Sequence, residues 1–290
     1  MKKRYLTAEN IIFDMIVYIV MIFVLVVCLV PFLYMITVSF SGSKAIINNE
    51  VFLWPKDFTF ESYKTIFNYP NFFQAYGNTF IYAFGGTAIA LVMTSLFAYP
   101  LSKPFLWGNK FFTKMVVLTM FFSGGLIPTY LVYTSLGIVG TRAAMLMPFS
   151  ISSFNLIILI NFFKGLPVEI EEAALIDGLG YFGILRRIVL PLSTAGIATI
   201  GLYYAVFFWN DWFNALIYLK GSQYPVMLFL RNIVNGTMAI ADGVGASEKS
   251  SMAISLKASV IITSTVPIIT LYPFLQKFFV KGLTIGGVKG

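Results

Sequence analysis

The chain contains no histidine, one cysteine and few charges: only 11% of its 290 residues are Asp, Glu, Lys or Arg, against about one quarter in soluble domains. Without histidine the commonest metal ligand is missing. With Cys28 alone, neither an intrachain disulfide nor a thiolate cluster can form, so zinc and haem have no ligand set. No Gly-x-x-x-x-Gly-Lys-Ser/Thr segment occurs, so no phosphate loop is present to hold a nucleotide. The formal charge is +8, yet the basic residues form no dense run, and scattered Lys and Arg beside apolar stretches speak for membrane topology rather than nucleic acid. A membrane enzyme needs a convergent acid, base or metal set, which these residues cannot readily assemble.

What is present is apolar. The chain is 58% hydrophobic and 17% aromatic, with a mean hydropathy of +0.84, the composition of a membrane protein. A helix needs about 20 apolar residues to cross a hydrocarbon core of ~30 Å. Six stretches qualify: residues 11–38, 78–101, 111–133, 143–163, 194–219 and 255–279. The first follows Lys2, Lys3 and Arg4, but it is too long for a signal-peptide core and lacks a small-residue cleavage site, so it reads as an uncleaved span. Six spans place both termini on one side. With that side inside, twelve of the 20 Lys and Arg residues fall in the inner segments and eight in the longer outer ones. The positive-inside rule therefore puts both termini in the cytoplasm of a multi-pass cell-membrane protein. The reading is all-α, one transmembrane domain over 1–290.

The segment 164–192 is the longest inner loop, and its chemistry is unusual for a connector. Pro167 suits a first helical turn, and Glu169, Glu171 and Glu172 favour the positive end of that helix. Gly178 and Gly180 stop it, and a second short helix carries Arg186 and Arg187 before Pro191. Ala173, Ala174 and Gly178 form a small-residue patch that another backbone can approach. An amphipathic connector lying on lipid accounts for the same residues.

The pattern Glu172-Ala173-Ala174, three residues, Gly178, nine residues, Ile188, one residue, Leu190-Pro191 resembles the EAA motif of the permease subunits of ATP-binding-cassette (ABC) importers, matching every defined position. Ile176-Asp177-Gly178, the run Arg187 to Leu192, Phe208-Trp209-Asn210-Asp211 and Lys281-Gly282-Leu283-Thr284 resemble its maltose-type carbohydrate branch, and more narrowly the lipo-oligosaccharide-type permeases of low-GC Gram-positive bacteria. The resemblance implies the type I importer permease fold. It also implies that Glu172, Ala173, Ala174, Asp177, Gly178, Ile188, Leu190 and Pro191 belong to a coupling element docking on an ATPase. Further implied are a heterodimer with a second homologous permease chain, two ATPase subunits that bind ATP and Mg, a solute-binding protein and a carbohydrate substrate. This chain then carries no cofactor of its own.

Polar groups inside spans face a cavity or another helix, because lipid does not satisfy them. The fifth span offers Tyr203, Tyr204, Asn210 and Asp211, and the fourth Asn155. Aromatic faces with Asn and Asp beside them suit a sugar. Aromatic residues near the outer boundary are equally the belt of any membrane helix, and Asn155 also suits interhelical hydrogen bonding. An ion-coupled secondary transporter is the alternative, with Asp211 as its one near-central carboxylate and no paired partner.

Overall fold

Apolar runs this long, with few internal breakers, dictate helices whose backbone groups are satisfied within each segment. In the computed structural model, which describes residues 8–241 and 253–270, every regular element among the described residues is helical. The principal helices are α1 (Ala8–Ser39), α2 (Phe72–Ser102), α3 (Asn109–Phe121), α4 (Leu126–Ser135), α5 (Ser153–Lys164), α6 (Val168–Ile176), α7 (Tyr181–Leu192), α8 (Thr194–Asn210), α9 (Trp212–Tyr218), α10 (Val226–Ala241) and α11 (Ala253–Thr270). Residues 271–279 of the sixth expected span, and the Lys281 to Thr284 tail, lie outside the described residues.

The chain divides into two units. In the first, residues 1–70 with 232–265, α1 is apolar on every side and its most hydrophobic stretch buries nothing, as a helix solvated by lipid requires. Its C-terminal end packs through Val38 against Ala45, Ile46, Val51 and Ala258. Phe40 stacks on Phe58 and on Tyr63. Burial pushes the Tyr63 phenol up from its ordinary value, and its hydrogen bond with Ser39 acts the other way.

In the second unit, residues 71–231 with 266–290, α2, α5 and α8 supply much of the core. Leu101, Leu159, Phe163, Ile184, Val189 and Ile200 form one buried cluster. A π-helical stretch, Ile81–Gly86, interrupts α2 and sets Gly86 under Phe208, where an added Cβ would come within 2.6 Å of the ring. Gly85 faces open space.

Three expected spans are not single rods. Residues 111–133 break at 122–125, where Gly125 adopts φ +85° and the chain bends by 116° between α3 and α4. Residues 143–163 begin as a short helix, Ala143–Leu146. They continue without helix from 147 to 152, because Pro148 donates no amide hydrogen, and re-enter helix where the Ser152 hydroxyl accepts from the Asn155 N–H. Residues 194–219 divide at Asp211, which caps α9. Bends of 74° and 84° then separate α5 from α6 and α7 from α8, turning the segment between them across the flanking helices.

Candidate functional site

Two places gather the residues singled out by sequence, and the first is the segment α6–turn–α7. Pro167, with extended backbone, precedes α6, and Glu169 and Glu171 occupy its first turn. The turn is a Schellman closure: the Gly178 N–H donates to the Leu175 carbonyl and the Leu179 N–H to that of Ala174, both at 3.0 Å. Gly178 sits at φ +82°, a backbone region that costs other L-residues about 1–2 kcal/mol. The small-residue expectation therefore divides. Ala174 is buried against the core cluster, whereas a Cβ added at Gly178 would meet nothing within 4 Å. Within this chain, Gly178 is required by conformation and not by a close neighbour.

The motif has two faces. Ala174, Ile188 and Leu190 pack on the core cluster that contains Tyr99, Leu101 and Phe163. Glu172, Ala173, Asp177, Gly178 and Pro191 are exposed. Around them stand apolar side chains with nothing over them: Ile176 is 87% exposed, Phe182 68% and Val168 63%. Apolar surface gathered at one turn makes this a candidate docking face.

Sequence reasoning missed the anchor of this segment. Glu171 lies one helical turn before Ala174 on the inward face and is buried. Its Oε2 accepts from the Tyr99 hydroxyl at 3.2 Å, its Oε1 forms an ion pair with Lys103, and the Lys103 ammonium lies 4.9 Å from the centre of the Tyr99 ring. These three side chains tie α6 to the C-terminal end of α2. The i, i+3 spacing from Ala174 was the available signal, but which distant residues face that spot is decided by packing.

The second place is a cleft of about 440 Å³ lined by Asn155, Tyr203 and Tyr204 together with Phe149, Ser152, Phe154 and Phe207. Tyr204 is buried, and its hydroxyl is engaged with Thr94 Oγ1 at 2.7 Å and with the N–H of Ser152 at 2.8 Å. Asn210 and Asp211 do not join this group. The Asn210 amide donates to the Val206 carbonyl at 3.0 Å. Asp211 Oδ1 accepts from the Asn214 N–H at 3.1 Å, and both its oxygens accept from the Asn214 side chain.

No family model matches the chain. It is 42% identical over 266 residues to protein LplC of Bacillus subtilis, covering 91% of this chain and 90% of that one. It is 38% identical over 286 residues to the polygalacturonan/rhamnogalacturonan transport system permease protein YtcP of the same organism, covering 97% and 100%. Among solved structures, a chain of a bacterial ABC transporter involved in the import of the acidic polysaccharide alginate superposes with a TM-score of 0.85 at 28% identity, over 96% of this chain and 100% of that one.

Proposed function

The chain belongs to the permease subunits of ABC sugar importers, and on that premise we propose that it is one half of a heterodimeric pathway for an oligosaccharide, opened and closed through α6 and α7. Members of this family are transport components and not enzymes, and the chain is a multi-pass membrane protein. The observation that carries the coupling proposal is the division of the α6–α7 segment: its inner face is bonded to α2 through Glu171, and its outer face presents uncovered Ile176 and Phe182.

In this reading both termini and the α6–α7 segment lie in the cytoplasm, supported by the distribution of Lys and Arg. The exposed face meets a cleft on one of two separate ATPase subunits, with Glu172, Ala173, Asp177, Gly178 and Pro191 at or beside the contact. ATP and Mg bind to those subunits. When they close, they move α6. A helix held by an ion pair, a hydrogen bond and buried side chains is displaced as a body, so the end of α2 follows. The cavity formed with the second permease chain then opens to the outside and takes sugar from a solute-binding protein. An ion-coupled mechanism has no support: Asp211 is committed to capping α9, and among the described residues its carboxylate bonds to Asn214 and to no cation.

The test is uptake into proteoliposomes holding this chain with its co-purifying subunits. Accumulation of an oligosaccharide that requires both ATP and the binding protein is the expected result. Accumulation driven by an ion gradient and indifferent to ATP overturns the proposal.

A further inference from the structure

The irregular backbone at 147–152 sits within a stretch apolar enough to span. Non-helical backbone at such depth is tolerated where it is buried in protein or lines a water-filled cavity. Here it fronts the cleft of about 440 Å³, within the roughly 300–1,000 Å³ of small-molecule sites.

The lining of that cleft is chemically specific. None of the described residues lining it is charged. Its walls are two aromatic pairs, Phe149 with Phe207 at 5.2 Å between ring centres and Phe154 with Tyr203 at 6.2 Å. Tyr204 closes one side, and its hydroxyl is already occupied on both counts by Thr94 and Ser152. Besides the hydroxyls of Ser152 and Tyr203, the polar lining includes Asn155, which is only 5% exposed and whose side-chain amide has no hydrogen-bond partner among the described residues. Its two donors and its acceptor open on the cleft, where a ligand or water completes them.

We propose that the cleft is a subsite for an uncharged sugar ring, with Asn155 as its hydrogen-bonding anchor and the aromatic pairs against the C–H faces of the ring. This rests on the permease reading and sharpens it. The names of two similar proteins point to acidic polysaccharides, but a uronate carboxylate placed here would give up water and gain no cation from this chain's lining, which is disfavoured. A charged unit of a mixed polymer is then seated elsewhere along the pathway, and a neutral unit here.

The test uses the purified complex without binding protein, in a Cys28→Ser background carrying Ile151→Cys in the cleft lining. The rate of alkylation at position 151 is followed against neutral oligosaccharides and against oligogalacturonates of equal length. Protection by a neutral sugar alone is expected, with the half-protecting concentration raised about tenfold by Asn155→Leu, the loss expected from one hydrogen-bonding anchor. The nearly isosteric Asn155→Asp is expected to raise it as well, and serves if the Leu variant fails to assemble. Equal protection by the oligogalacturonate, no protection by any sugar, or protection indifferent to both Asn155 variants overturns the subsite. ATP-dependent uptake by the unmodified complex is measured in parallel, so loss of the subsite and loss of the permease reading are told apart.

Discussion

At the scale of single residues, Glu171 shows how a buried contact hides beside a motif. It neighbours the motif glutamate, Glu172, yet the two differ in surroundings: Glu172 is exposed and Glu171 is buried. Removing the Glu171 carboxylate leaves the Lys103 side chain, 15% exposed, and the Tyr99 hydroxyl without their partner, a loss on the order of 1–3 kcal/mol. Glu171→Ala is therefore expected to lower the melting temperature of the detergent-solubilised complex and to reduce uptake more than it reduces ATPase activity. A double-mutant cycle with Lys103→Met should return an interaction energy of about 0.5–3 kcal/mol, and additive effects would dissolve the anchor. Asp211 is the converse: a carboxylate expected in the substrate pathway that serves as a helix cap, because a break in the fifth span creates free amide groups that need an acceptor.

At the scale of elements, three glycines separate conformation from packing. Gly178→Ala places a side chain at φ +82° and should weaken the turn by about 1 kcal/mol, while Gly178→Leu adds bulk to the open docking face and is expected to abolish uptake with membrane insertion unchanged. Insertion is read by membrane fractionation, and full transport by the Leu variant would remove Gly178 from the contact. In α2, Gly86→Ala drives a methyl into the Phe208 ring, an overpacking cost of about 1–3 kcal/mol. Gly85→Ala meets nothing within 4 Å and is expected to leave the melting temperature unchanged. Equal melting of the two variants would refute the close approach of α2 and α8.

At the scale of the whole molecule, much apolar surface finds no cover among the described residues. The window that defines α1 as a span is 0% buried, and α3 and α4 contain no buried residue at all. Lipid satisfies such helices, and so does a second permease chain, in keeping with a subunit of a larger assembly. The exposed face of α6 is different, because its apolar residues alternate with Glu172 and Asp177. With Cys28 replaced by Ser, Ile176→Cys should react with a membrane-impermeant maleimide only from the cytoplasmic side. That reaction should be suppressed when the ATPase subunits are bound. Labelling from the outside would invert the topology, and labelling unaffected by the ATPase would place the docking face elsewhere.

The sequence by itself determined the membrane class, the helical content and the permease family, because hydrophobic run length and a motif of fixed spacing are local properties that no packing alters. The break before Leu126 is local in the same way, since Gly124-Gly125 and Pro128 carry their own backbone constraints. Only the tertiary structure decided that Glu171 pairs with Lys103 and Tyr99, and that Asn155, Tyr203 and Tyr204 share a cleft while Asn210 and Asp211 do not. Those groupings depend on which faces of distant helices meet, and composition along one helix leaves that undetermined when nearly every side is apolar.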